Sequence, residues 1–223
     1  MTSTQVHKGE RAYTPRSLKI YDAIVITVSN RLAWRCPSRV MLERYNRFLA
    51  PRHLEIGPGT GWYLAHADLP RNIEITLADL NASTMAATST RIAGVPTRTV
   101  TADVLEPMPD GIGKFDSIGL NYVLHCLAGG AGAIRTALAN LAAVLTPDGV
   151  LFGATILGDD VHHNLFGRGL MAIYNRTGIF SNRDDGLDDL RAGLQASFAD
   201  VEIQMYGTVA LFSATGPRLT RTV

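Results

Sequence analysis

Acids at the ends of apolar runs, with glycines between them, are the residues of this chain best suited to chemistry. The run Arg52-His53-Leu54-Glu55-Ile56 passes directly into Gly57-Pro58-Gly59-Thr60-Gly61 and then into the helix-prone Trp62-Tyr63-Leu64. Glycine lacks a Cβ, so such a bend can take positive φ and let a ligand lie against main-chain amides at the start of the next helix. That is the chemistry of a nucleotide-like ligand, and the spacing bears on which one. In the dinucleotide fingerprint G-x-G-x-x-G the last glycine allows helix and strand to pack closely. Counted from Gly57, that place is held by Trp62, and no Arg or Lys lies between Leu54 and Pro70 to meet a pyrophosphate. NAD and FAD are therefore disfavoured.

The elements that must position this bend follow in order. Residues 72–79 alternate and are β-prone, ending in Asp79, and a helical stretch runs over 81–92. Asp79 stands about 20 residues beyond the glycines, where an acid commonly accepts from ribose hydroxyls in doubly wound folds. A third strand is expected over Thr97–Val104, containing Asp103, and a fourth over Phe115–Asn121, leading into Tyr122-Val123-Leu124-His125-Cys126-Leu127. An Ala/Leu-rich helix over 131–145 closes at Thr146-Pro147-Asp148-Gly149 before the strand Val150–Leu157. A helix over 187–198 and strands over 200–206 and 208–214 complete the pattern. Glu55 can also be read as a helix-dipole partner and Asp79 as an N-cap.

The pattern Glu55-x-Gly57-x-Gly59-x-Gly61, with Asp79 and Ala102-Asp103-Val104 after it, resembles the class I S-adenosylmethionine-dependent methyltransferases of the small-molecule type. The resemblance covers roughly residues 52–157. It implies a Rossmann-like α/β fold, a seven-stranded, mostly parallel sheet with a reversed last strand and helices on both faces. It implies a cofactor site of Glu55, Gly57, Gly59, Gly61, Asp79, Leu80, Asp103, Val104 and Asn121, in which Asp79 takes the ribose, Leu80 flanks the adenine and Asp103 accepts from its amine. Electrostatics agrees, because S-adenosylmethionine has no phosphate but carries a sulfonium and an ammonium, which a carboxylate attracts.

Two segments lie outside that core, and the substrate chemistry is expected there. Residues 1–50 read as a helical cap: Leu18, Tyr21, Ile24, Val25 and Val28 recur at helical spacing, Pro37 breaks the pattern, and Val40, Leu42, Tyr45, Phe48 and Leu49 resume it. The domain proper is 51–223, with a helical lid inserted at about 158–189. That lid carries His162, His163, Phe166, Leu170 and Tyr174 as substrate-binding candidates, equally readable as the apolar face of a packed helix. Methyl transfer from a sulfonium is an in-line displacement, so alignment dominates and no covalent residue is needed. A hydroxyl or carbon acid must still lose a proton, which makes His125 and Tyr21 the catalytic candidates, with His125 equally readable as structural. Tyr13 is a second tyrosine able to close over the cofactor; His53 and His66 read as structural.

No metal site is expected. The acid that magnesium-dependent relatives place after strand four is missing, Asn121 standing there, and Asp159-Asp160 reads as a solvated turn. The Asn-Pro-Pro-Tyr motif of methyltransferases acting on nucleic acid and protein amino groups is absent from Asn121-Tyr122-Val123-Leu124.

At 223 residues with 46% hydrophobic content the chain can bury one sizeable core. A net charge of +1 gives no field for nucleic acid, so small molecules are the expected partners, with a homodimer left open. Residues 1–10 are polar, the apolar run 23–28 is too short to span a bilayer, and Cys36 and Cys126 lack metal-ligand spacing; a cytoplasmic protein with reduced thiols is expected. The reading is a methyltransferase acting on the oxygen, nitrogen or carbon of a small apolar or aromatic acceptor in biosynthesis. The alternative is a protein that holds the same cofactor as scaffold for a cyclisation or rearrangement.

Overall fold

A computed structural model describes residues 29–218, so Tyr13, Tyr21 and the first cap helix lie outside the described residues. Five parallel strands form one side of a single sheet: β1 (Arg52–Ile56), β2 (Glu74–Asp79), β3 (Thr97–Thr101), β4 (Phe115–Asn121) and β5 (Leu145–Ile156). The chain closes with β6 (Phe198–Tyr206) and β7 (Val209–Pro217), and the sheet order is β3-β2-β1-β4-β5-β7-β6. β7 runs antiparallel to both β5 and β6. The expected seven-stranded sheet with a reversed last strand is therefore present. Strand order reverses between β1 and β4, where open α/β sheets form a crevice at the carboxyl ends of their strands.

Helices cover both faces, as the alternation along the central strands requires. On one face Leu54, Ile118, Leu120 and Leu151 pack with Ile134, Leu138 and Leu141 of α4 (Gly130–Val144) and Leu190 and Leu194 of α6 (Leu187–Ser197). On the other, Ile75, Leu77 and Phe152 pack with Tyr45 of α1 (Ser38–Phe48), Leu64 of α2 (Trp62–His66) and Met85 of α3 (Ala82–Arg91). A third cluster ties Trp34, Val40 and Met41 to Ile156, Leu211 and to Met171 of α5 (Leu165–Thr177), the lid helix. The cap residues from Ser29 onward thus share core with the strands they cover.

Several boundaries differ from the sequence expectation for local reasons. Asn81, not Asp79, caps α3, its side chain accepting from Ser83 N–H, while Asp79 accepts from Asn81 N–H and the Thr84 hydroxyl. The turn expected at Thr146–Gly149 sits within β5, where the pairing with β4 jumps from Phe115↔Leu145 to Ser117↔Val150. The chain does not turn there: the strand continues through these residues as a bulge.

Gly153 occupies the middle of β5, and a Cβ there would lie 2.2 Å from the Leu120 carbonyl oxygen and 2.4 Å from Phe212 Cζ. Neither strand can retreat, because each is paired on both sides. Gly153→Ala should lower unfolding free energy by about 1–3 kcal/mol, the usual cost of overpacking a core, read as a lower urea midpoint at unchanged slope.

Candidate active site

The glycine bend is built as a cradle open on one side. Gly57, Gly59 and Gly61 all have positive φ (61°, 57° and 70°), and Gly57 N–H donates to Ala78 O at 2.9 Å, locking the bend to β2. A Cβ at Gly61 would meet Thr88 Cγ2 at 2.7 Å, so this glycine lets α3 approach, whereas nothing lies within 4 Å of one at Gly59. The surface left bare at Gly59 forms part of the wall of a cavity of about 270 Å³, near the lower end of the range for small-molecule sites. Aromatic rings dominate that wall, among them Trp34, Tyr45, Tyr63, Tyr122, Tyr174 and Phe180. Glu55 is its one carboxylate among the described residues, and no Lys or Arg lines it.

Glu55 is 3% exposed, and both its oxygens are engaged by protein. Tyr45 Oη donates to Oε1 at 2.6 Å, and His53 Nε2 lies 2.9 Å from Oε2. His53 Nδ1 is 2.8 Å from Ser117 Oγ, which itself accepts from Ala50 N–H. On the other side Asn121 Nδ2 donates to Tyr45 Oη at 3.1 Å, leaving Asn121 Oδ1 buried in the cavity wall without a partner. Burial, then the Glu55 charge, hold the Tyr45 hydroxyl well above its ordinary pKa, so it stays a donor. Glycine at 119 makes this possible: it pairs with Glu55 across β1 and β4, and a Cβ there would lie 2.3 Å from Glu55 Oε2.

His125 sits in the 3-10 turn Leu124–Cys126 that follows β4, 2% exposed in the cavity wall. Its Nδ1 accepts from Ile156 N–H at 3.3 Å, with the Thr155 hydroxyl at 3.4 Å, and Phe180 packs edge-on at 4.4 Å. A backbone N–H aimed at Nδ1 places the proton of the neutral ring on Nε2. Burial pushes its pKa from 6.5 down to about 3. The accepting nitrogen of the neutral ring is thus held by the backbone, an arrangement that suits the structural reading of His125. Its neighbour Tyr122 holds φ 59°, a strained conformation for a bulky residue, with its N–H bonded to Ala154 O at 2.8 Å.

The remaining candidates divide by position. Asp79 and Asp103 stand at the carboxyl ends of β2 and after β3, half-buried, each accepting from its own loop: Asp79 from Asn81 N–H, Asp103 from Leu105 N–H. Leu80 beside them is 51% exposed. Val104 instead turns into the core with Ile112 and Phe115, its side chain pulled inward by burial. Of the lid's substrate-binding candidates, Tyr174 lines the cavity and the others do not; its ring is 4.9 Å from Phe180, which lines it too. Leu170 packs against the Trp34 cluster and Phe166 is 47% exposed. His162 and His163 line a separate cavity with Arg168 and Arg183, because the chain turns away from the sheet before α5. Among the described residues no three His, Cys, Asp or Glu side chains converge as a metal site would need, and no helix is long and apolar enough to cross a membrane. Sequence reasoning missed Asn30, Trp34, Tyr45 and Tyr63 as lining residues. Tyr45 was legible only as an apolar helix position, and Asn30 enters through a π-type turn in which Trp34 N–H donates to Ser29 O at 3.0 Å.

This sheet order, with an acid and a glycine bend at the end of β1 and acids after β2 and β3, defines a class I S-adenosylmethionine-dependent methyltransferase. Comparison with known proteins places the chain in that family. A family model described as a methyltransferase domain matches residues 54–151. Over 218 residues the chain is 37% identical to the physcion biosynthesis cluster O-methyltransferase of Aspergillus chevalieri, covering 97% of this chain and 98% of that one. It is 39% identical over 211 residues to the demethylluteothin O-methyltransferase of Streptomyces thioluteus, covering 94% and 92%. In fold it is similar to the N-methyltransferase NodS of Bradyrhizobium japonicum solved with S-adenosyl-L-homocysteine, with a TM-score of 0.60, 18% identity, and 91% and 98% of the two chains covered.

The buried His125 makes a checkable contribution to stability. Its folded pKa of about 3 lies below its ordinary 6.5, so between these values the unfolded chain binds the extra proton. Stability due to this group should be complete above pH 6.5 and decline as the pH falls towards 3. His125→Asn should flatten that part of a stability–pH profile measured by urea unfolding, and nitrogen NMR of the wild type should show the neutral Nε2–H tautomer at pH 5.

Proposed function

We propose that the chain methylates a hydroxyl oxygen of a small, apolar or aromatic metabolite, with S-adenosylmethionine bound along the glycine bend. The carrying observation is the character of the cavity among the described residues: aromatic walls, one buried carboxylate, no cationic side chain, and an unpartnered amide oxygen, Asn121 Oδ1. These suit a ligand with a cationic sulfur and an ammonium, since aromatic faces attract cations and a buried acceptor without a donor is costly. In this reading Gly57 and Gly59 offer the backbone surface, Gly61 shapes it, and Asn121 accepts from the amino-acid end. Asp79 takes the ribose and Leu80 and Asp103 the adenine. When bound, the cofactor supplies an electrophilic methyl group on a positively charged sulfur.

The chain's own residues then align and exclude. Trp34, Tyr174 and Phe180 give the acceptor an apolar compartment, in which the rings of Trp34 and Phe180 lie 6.0 Å apart. His125 Nε2–H is a donor that can hold an acceptor oxygen in register, leaving in-line approach as the main source of rate. Oxygen is favoured over nitrogen because three relatives aligned over nearly the whole chain are described as O-methyltransferases, two of them tied by name to the metabolites physcion and demethylluteothin. That kinship also supports a role in secondary metabolism. Two free cysteines and the lack of a spanning helix among the described residues fit a cytoplasmic setting.

Incubation with S-adenosylmethionine and a panel of phenols, enols and aromatic amines, followed by chromatography, tests this reading. S-adenosylhomocysteine should accumulate one for one with an O-methylated product, and Asp79→Ala should weaken S-adenosylhomocysteine binding about tenfold or more by loss of charge-assisted hydrogen bonds. Binding without any turnover across the panel would favour the scaffold alternative.

A further inference from the structure

Glu55, the acid of the glycine motif, lies in the cavity wall with both oxygens already bonded to protein, which raises the question of what it does there. The answer lies in the direction of its hydrogen bonds. A carboxylate offers only acceptors, so the Tyr45 hydroxyl must spend its one proton on Glu55 Oε1. Tyr45 Oη is then an acceptor towards everything else. The Asn121 amide, 3.1 Å away, has to turn its NH₂ to Tyr45, and its oxygen is left pointing elsewhere, unpartnered and in a residue only 7% exposed. An amide's two ends look alike in shape, and here the acid decides which one the cavity sees.

We propose that Glu55 and Tyr45 are positioning residues that form a polarity relay: they fix Asn121 with its oxygen available to the ligand, so that the site selects a donor such as the cofactor's α-ammonium although neither residue touches it. The proposal rests on the cofactor reading above. His53 makes the relay one-way. With Ser117 Oγ at its Nδ1, the ring presents Nε2–H to Glu55 Oε2, so this oxygen is committed to accepting. In Glu55→Gln with His53 kept as the Nε2–H tautomer, the carbonyl end stays with His53, and the NH₂ end faces Tyr45. Tyr45 then accepts from Gln and donates to Asn121, whose amide reverses and shows N–H groups to the ligand. The substitution is isosteric, yet it inverts the polarity of a side chain it does not contact.

The test compares S-adenosylhomocysteine with its analogue lacking the α-amino group, by calorimetry on the purified full chain, for wild type, Glu55→Gln and Tyr45→Phe. Thermal unfolding of each variant confirms a cooperative fold. Wild type should prefer the amino compound by about tenfold or more, the scale of a charge-assisted hydrogen bond. In both variants that preference should fall to about threefold or less, while affinity for the analogue stays near that of wild type. A preference retained in the folded variants overturns the relay. So does equal loss of both ligands, which would mark the two residues as merely structural. Wild type that binds both compounds without preference overturns the relay but leaves the methyltransferase reading standing; wild type that binds neither removes both. Should Glu55→Gln fail to fold, Tyr45→Phe decides the matter alone, since it leaves the buried carboxylate with His53.

Discussion

A carboxylate buried near the carboxyl end of a central strand is the constraint around which this structure is arranged. Glu55 is flanked by Leu54 and Ile56 in a strand paired on both sides, where an uncompensated charge would cost several kcal/mol. Its environment answers that cost with two donors from different elements, Tyr45 on α1 and His53 two residues earlier on the same strand face. Space is made by glycine at the cross-strand partner, Gly119. The chain extends through Ser117 to the backbone of Ala50, where the cap enters β1. Removing any member leaves a buried polar atom unpaired, so the set is kept or lost together.

The period of the strand explains why the polar set and the core do not interfere. His53, Glu55, Ser117, Gly119 and Asn121 occupy alternate positions of β1 and β4 facing α1, while Leu54, Ile56, Ile118 and Leu120 face α4. A seam of hydrogen bonds therefore runs beneath α1 without breaking the hydrophobic layer on the opposite face. It also fixes α1 relative to the site: Tyr45 stacks on Tyr63 at 5.5 Å and meets Phe152 edge-on at 5.3 Å, so the hydroxyl that bonds Glu55 comes on a ring held from two sides.

What the sequence made legible was what depends on local backbone rules. The order of strands, the glycine bend and the acid at the end of β2 all follow from periodicity and from the residues that tolerate a bend. Glu55 and Asn121 were read as site residues on position alone, and both do line the cavity. Direction was not legible. That Glu55 bonds to Tyr45 needs the crossing of α1 over β1, and that His125 Nδ1 is occupied needs Ile156, 31 residues later, at the end of the neighbouring strand. The lid was the hardest segment for the same reason. Helical spacing placed Leu170 and Tyr174 on one face of α5 but could not say that His162 and His163, just before it, would turn into a different cavity.

The same geometry bears on what kind of catalyst the cavity can be. A base needs a free lone pair, and the one on the histidine in the wall is held by the main chain of β5. The tyrosines beside it are no substitute: burial holds the hydroxyls of Tyr63 and Tyr122 above their usual pKa, so neither gives up its proton readily. What the wall does supply is shape and a fixed pattern of donors and acceptors. Ring contacts link His125 to Phe180 and Phe180 to both Trp34 and Tyr174, so the apolar side of the cavity is one packed aromatic layer. Such a wall suits displacement at carbon, where the barrier falls with alignment and with exclusion of water more than with proton transfer.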